Sequence, residues 1–159
     1  TVVKEKIFEA FYGEANELKH FRHVNTYGGH PVATAVSLKN IEIVQRENLA
    51  ANAAKMETYI KGRLNEFADH PYVGEIRGKG LLLGIELVSD KEKKTPLEMA
   101  QANAIVQNCL KQGVSIMRNG NTVPGLGNVI IMAPPLILQE SEADQIVDAI
   151  GNALKQVLK

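Results

Sequence analysis

Residues 72–88 read YVGEIRGKGLLLGIELV, and this stretch decides the fold class. From about 48 to 68 the apolar residues recur at helical spacing; beyond Asp69-His70-Pro71 the period shortens. Tyr72 to Arg77 and Leu81 to Val88 therefore read as two strands. Between them, Gly78-Lys79-Gly80 offers two residues tolerant of unusual φ, which suits a hairpin turn. Leu81-Leu82-Leu83-Gly84-Ile85 is apolar on both faces, the pattern of a central strand.

Toward the C-terminus, Ser89 to Lys94 is a charged loop, and Thr95 with Pro96 suits a helix start. The expected apolar stripe of that helix is Leu97, Ala100, Ala104, Ile105 and Leu110, with Gly113 as its stop. Val114 to Met117 is a short strand, and Asn119 to Asn128 (NGNTVPGLGN) is dense in turn formers. Val129 to Met132 is a further strand, stopped by Pro134-Pro135. A final helix is expected from about Ser141, with Ile146, Val147, Ile150, Leu154, Val157 and Leu158 inward. Ser141 and Asp144 resemble a capping box with the shorter acid. Residues 70–159 thus read β-β-α-β-β-α, an α+β domain whose helices cover one face of a mainly antiparallel sheet.

Toward the N-terminus, 2–12 place Val3, Ile7, Phe8 and Phe11 on one helical stripe, with Gly13 as the stop. Residues 14–30 form a polar loop with three of the four histidines, and long loops are often functional. Pro31 suits a first helical position ahead of Ala33, Ala35, Val36, Leu38, Ile41, Ile43 and Val44. A second run covers about 48–68. Either Asn48 caps a separate helix or the two runs form one long bent helix. Residues 1–40 read as a segment that packs against something outside this chain.

Composition narrows the function classes. The 159 residues balance 18 Lys+Arg against 18 Asp+Glu, and only 5% are aromatic. An electrostatic nucleic-acid binder would need a basic excess, so none is expected. With 45% apolar and 23% charged residues, the chain has the makeup of a folded globule. A single cysteine, Cys109, cannot form an internal disulfide and fits a reducing, cytoplasmic compartment. No apolar run approaches a membrane span, and Thr1–Lys6 has no signal-peptide pattern. A start at Thr1 without Met points to processing or to a piece of something longer.

Several constellations could carry chemistry. Asn25 to Pro31 (NTYGGHP) precedes a helix start, where unpaired N–H groups and the helix dipole favour a phosphate, and Thr26 adds a hydroxyl. The simpler reading is a Gly-Gly turn, and the residues alone favour it. Arg118 closes a short strand beside the glycine-rich loop; it either clamps a carboxylate through two parallel hydrogen bonds or forms an exposed ion pair. His20 and His23 lack companion ligands at metal-binding spacing, so no metal is expected. Arg77-Gly78-Lys79-Gly80 lacks the Walker spacing and reads as a hairpin turn. Cys109 has no base spaced to activate it and reads as core.

Taken in order, three blocks make the chain resemble the C-terminal part of a class III (fold type I) aminotransferase. Thr26-Tyr27-Gly28-Gly29-His30-Pro31 is similar to the family's T-[YF]-[GS]-[GA]-[HN]-P block. Arg77-Gly78-Lys79-Gly80-Leu81 through Gly84-Ile85-Glu86-Leu87 is similar to its R-G-x-G-L…G-I-E-L hairpin, and Ala133-Pro134-Pro135-Leu136 to its A-P-P-L signature.

The resemblance implies pyridoxal 5′-phosphate (PLP) as cofactor and a homodimeric parent. It implies that residues 1–40 are the tail of the large PLP-binding domain, 41–69 a connecting helix and 70–159 the small C-terminal domain of the fold. Thr26, with Tyr27 beside it, corresponds to the cofactor-binding block, whose threonine reaches the PLP phosphate of the neighbouring subunit. Arg118 matches the substrate-carboxylate arginine of the ω-amino acid–pyruvate subgroup, which swings away for uncharged substrates. The ornithine-like subgroup keeps its arginine two residues before A-P-P-L, where this chain has Ile131. In place of the usual threonine cap before the last helix stands Gln139. The family's Schiff-base lysine, ring-pairing aspartate and stacking aromatic are expected upstream of Thr1, so no catalytic residue is expected in this chain and the isolated chain is expected to be inactive. The implied function is transfer of an amino group from an ω-amino acid or amine to pyruvate or a similar 2-oxo acid. Two alternatives stand beside it: a 7,8-diaminopelargonate-forming transaminase of biotin synthesis, and a non-catalytic α+β binding module with residues 1–40 packed onto it.

Overall fold

The computed structural model describes residues 2–21, 26, 28–120 and 123–158. The chain divides into two compact units, Thr1–Glu42 and Ile43–Lys159, and each has its own construction.

The first unit holds a short helix, α1 (Glu5–Glu9), a 3₁₀ turn at Ala15–Glu17 and most of α2 (Pro31–Arg46). The 2–12 stripe yields only five helical residues, because so short a segment gains little without a surface to pack on. Edge-to-face ring pairs, Phe8–Tyr12 at 5.2 Å and Phe11–Phe21 at 5.3 Å, form within it. None of the described residues in 2–42 is buried. Pro31 opens α2 as expected; the backbone N–H and hydroxyl of Thr34 both donate to the His30 carbonyl, at 2.9 and 3.1 Å.

Asn48 decides between one bent helix and two. Its φ of 50° is left-handed, which Asn tolerates better than most residues, and it separates α2 from α3 (Leu49–Leu64). Asn48 sits at the N-cap position but makes no side-chain cap bond, so its contribution is the backbone turn.

Strands β1 (Val73–Lys79), β2 (Leu82–Asp90), β3 (Thr95–Pro96), β4 (Met117–Arg118) and β5 (Val129–Met132) form an antiparallel sheet of order β1-β2-β5-β4, with β3 also on β2. The register stacks Ile76, Ile85 and Ile130 across three strands, and Leu83 beside Met132. Ile85, Ile130, Leu83, Leu87 and Met132 are buried under helices α3, α4 (Met99–Lys111) and α5 (Glu140–Val157). On the opposite face Leu82 is exposed and Glu86 half-buried. The expectation of a strand apolar on both faces is therefore corrected for residues 82–86: β2 is central in the sheet but covered there on one face, and burial reaches the other face only at Val88.

The hairpin turn is also tighter than expected. Gly78 and Lys79 belong to the ladder, and the turn falls at Gly80-Leu81. Gly78 has φ 147°, and a Cβ there would lie 2.2 Å from the Leu82 carbonyl oxygen, so the position requires glycine. Thr95-Pro96 pairs with β2 instead of opening a helix, and the Leu97 N–H extends the ladder to the Leu87 carbonyl at 3.1 Å. α4 consequently starts later, and its buried residues are Ala102, Ile105 and Cys109; Ala100, Ala104 and Leu110 face outward. Small side chains on that stripe bring α4 close to α5, with the Cys109 thiol 3.6 Å from the Ala149 carbonyl.

α5 starts one residue earlier than expected. Its reciprocal cap runs through Gln139, whose N–H donates to the Glu142 carboxylate at 2.9 Å. Asp144 is drawn elsewhere: it accepts from Arg63 and, at 2.9 Å, from the Tyr59 hydroxyl, tying α5 to α3. Among the described residues no helix is long and apolar enough to cross a membrane.

Candidate functional site: Arg118 and the loop it closes

β4 is the edge of the sheet and Arg118 its last residue. Met117 pairs with Ile131 and Arg118 with Ile130. Alternation along a strand places Arg118 on the helix-covered face, with buried Ile130, while Met117 is exposed on the other. The guanidinium therefore meets α4: its Nε–H donates to the Asn103 side-chain oxygen at 2.6 Å. Nη1 donates to the backbone carbonyls of Asn119 at 2.7 Å and Gly127 at 3.4 Å.

Two asparagines close the base of the loop. The Asn119 N–H donates to the Val129 carbonyl at 2.9 Å, its amide donates to the Leu126 carbonyl, and its side-chain oxygen accepts from the Val129 N–H at 2.9 Å. Asn128 is buried; its amide donates to the Leu87 carbonyl at 2.6 Å, and the Leu87 N–H returns a bond to the Asn128 carbonyl at 2.9 Å. The exposed loop expected from its turn formers thus has a fixed base. Asn103, Asn119 and Asn128 were missed as site residues in the sequence reading. The available signal was weak: an asparagine inside a helix is a poor helix former, and asparagines bracket the glycine-rich stretch.

Thr26 lies on an exposed turn of the first unit, ahead of α2. Gly29 follows with φ 74° and open space where a Cβ would stand. Both stand shortly before the N-terminal end of the sixteen-residue α2 in the sequence, where the first helical turn leaves backbone N–H groups without helical partners. Tyr27 lies outside the described residues. Thr26 and Arg118 belong to different units, and the geometry of each stands by itself.

The remaining candidates are structural. Gly78, Lys79 and Gly80 are engaged by α3: the Glu57 carboxylate accepts from the Gly80 N–H at 2.7 Å, Lys61 at 2.9 Å and Lys79 at 3.1 Å, and Lys61 also donates to the Gly78 carbonyl at 2.7 Å. These donors hold the Glu57 carboxyl well below the usual range, at about 2. Cys109 is fully buried, and desolvation pushes its thiol up to about 11, which makes it an inert core side chain at neutral pH. Among the described residues no three His, Cys, Asp or Glu side chains gather as a metal site would require. A concavity of about 480 Å³ opens beside Ala133-Pro134-Pro135 and the start of α5. Its lining is largely apolar, and its one carboxylate, Glu142, already caps α5.

The family model for class III aminotransferases matches residues 1–154, and the chain belongs to that family. These enzymes depend on PLP. The chain is 44% identical over 157 residues to the aminotransferase YhxA of Bacillus subtilis, covering 99% of this chain and 35% of the relative. It is 38% identical over 159 residues to the taurine–pyruvate aminotransferase of Rhodobacter capsulatus, again 99% of this chain and 35% of the relative. A solved Bacillus anthracis aminotransferase superposes with a TM-score of 0.85 at 42% identity, over 97% of this chain and 34% of that one. The chain thus spans about a third of the length of its relatives.

Proposed function

We propose that this chain forms the interface segment and small domain of a PLP-dependent aminotransferase that moves an amino group from an ω-amino acid or amine to pyruvate or a similar 2-oxo acid. The observation that carries the reading is the placement of Arg118 at a strand end, on the helix side, beside a loop rich in turn formers. Its guanidinium binds the substrate carboxylate with two parallel hydrogen bonds and so orients the distal amine. The similarity to a taurine–pyruvate aminotransferase supports an acidic ω-amino donor.

Thr26, with Tyr27, holds the cofactor phosphate across a homodimer interface; its hydroxyl and the α2 start supply donors and positive potential. When bound, PLP supplies the electron-accepting ring that lets the amine-bearing carbon lose and regain a proton. The exposed apolar residues of α1 and α2 fit a segment that the large domain and the partner subunit cover. In this reading residues 1–40 are the tail of the large domain, 41–69 connect, and 70–159 are the small domain of a cytoplasmic enzyme. The covalent attachment of the cofactor and the proton transfer belong to residues outside this chain.

Three measurements test the reading. In the PLP-loaded protein that contains this chain, Arg118→Ala raises KM for 3-aminopropanoate by about tenfold or more relative to KM for a neutral amine. An unchanged ratio overturns the role of Arg118. The 159-residue chain alone, incubated with PLP, gives no turnover; stoichiometric attachment with turnover would contradict the inactivity of the isolated chain. Formation of 7,8-diaminopelargonate without turnover of ω-amino acids would move the assignment to the biotin-pathway reading.

A further inference from the structure

Asn103 stands out among the polar side chains near Arg118, because its partner is the group to which the proposed function assigns the substrate carboxylate. A guanidinium can hold a carboxylate from the side, through Nε and the adjacent Nη2, or end-on, through Nη1 and Nη2. The side-on grip needs the Nε–H, which carries a single hydrogen. In this structure that hydrogen is given to the Asn103 side-chain oxygen at 2.6 Å. Nη1, needed for the end-on grip, is turned onto the Asn119 and Gly127 carbonyls. Asn103 sits in the middle of α4, next to Ala102 in the core, so its oxygen is presented by a rigid element. The amide oxygen is neutral, and a substrate carboxylate that competes for the same hydrogen is charged.

We propose that Asn103 is a positioning residue that stands in for a carboxylate oxygen on Arg118, and thereby sets how strongly the enzyme prefers anionic over neutral amino donors. The inference rests on the reading of Arg118 as the carboxylate-binding residue. With Asn103 engaged, the guanidinium is held against α4 and the loop base while a neutral donor is processed. An anionic donor must first displace the amide, so its apparent affinity is reduced by the fraction of Arg118 that is held.

The quantity to measure is the ratio of KM for 3-aminopropanoate to KM for 1-phenylethylamine in the PLP-loaded protein that contains this chain. Asn103→Ala releases Arg118 and lowers the ratio by about fivefold, the scale of one ordinary net hydrogen bond. Asn103→Asp is isosteric, replaces the neutral competitor by an ionic one and raises the ratio by about tenfold or more. A second readout needs no activity: in the 159-residue chain, the Arg118 Nε–H signal in ¹⁵N NMR exchanges with solvent about tenfold faster after Asn103→Ala and is retained after Asn103→Asp. If the ratio stays at its starting value in both variants, or Asn103→Asp lowers it, the inference is overturned. Arg118→Ala separates the two failures. A raised ratio there with silent Asn103 variants removes only the role of Asn103, whereas an unchanged ratio removes the carboxylate reading and this inference with it.

Discussion

Residues 43–158 and residues 2–42 draw on the same kinds of side chain and put them to opposite use. In the former, Leu64, Leu87 and Ile105 are fully buried, each at 0% exposure, between three helices and one face of the sheet. In the latter, Ile7, Phe8 and Phe11 remain 44%, 48% and 42% exposed, and Val36 on α2 is 64% exposed. Both regions show helical spacing of apolar residues, so the spacing marks a face that is built to be covered without saying what covers it. A face that covers itself within the chain yields a core. A face that does not is left exposed, and the proposed reading has the large domain and the partner subunit cover α1 and α2.

The sharpest way to break this contrast is a pair of truncations in the 159-residue chain, followed by urea unfolding. Leu87→Ala, at the centre of β2, lowers the unfolding free energy by about 2–5 kcal/mol, through lost transfer energy and a cavity. Val36→Ala leaves it within about 0.5 kcal/mol, because an exposed helical position gives up little packing. Equal losses would mean that residues 2–42 share the core and that the two regions do not differ in this way. A smaller effect sharpens the same contrast inside the sheet. Gly78→Ala, which forces a Cβ toward the Leu82 carbonyl at a left-handed φ, costs roughly 1–3 kcal/mol. Gly29→Ala also meets a left-handed φ of 74°, but in open space, so it lacks the steric part of that loss.

How legible each feature was follows from how local its cause is. The hairpin, the Pro31 start, the strand at 129–132 and the last helix could be read because periodicity and turn residues act within a few positions. β3 could not: Thr95-Pro96 has the composition of a helix start, and only pairing with Val88 and Asp90 makes it a strand. The buried stripe of α4 was misread for a related reason: packing against the sheet and α5 sets which side of the helix turns inward, and it buries Ala102 and Cys109 while Ala100, Ala104 and Leu110 face outward. Arg118 was legible as a strand-end cation, and the family resemblance gave it a role. Asn103 was not, because its meeting with Arg118 joins an exposed helical position to an edge strand fifteen residues away. Asp144 was misassigned to a cap because Arg63 and Tyr59, which claim it, lie on a distant helix.

Glu57 gives the smallest of the expected effects and the most direct view of how the two regions fix their turns. Its carboxylate collects the Gly80 N–H and the Lys61 and Lys79 ammonium groups, so its pKa falls from 4.5 to about 2. Between those values the unfolded chain binds more protons than the folded one. The stabilisation is therefore fully present above pH 4.5 and is lost as pH falls through about 2. Glu57→Gln removes that dependence: thermal midpoints of the two proteins differ most above pH 4.5 and converge as pH approaches 2. Glu17 offers the counterpart in the first unit. It pairs with Lys19 at 3.1 Å and accepts from the Glu14 N–H at 3.0 Å, all on exposed side chains. Glu17→Gln leaves unfolding within about 0.5 kcal/mol at neutral pH, because an exposed pair gains little over hydration. A midpoint difference for Glu57→Gln that stays constant from pH 7 to pH 2 would show that the turn is held by packing, with Leu81 in the core as its anchor. The carboxylate would then be only a bystander to a hairpin that closes on its own.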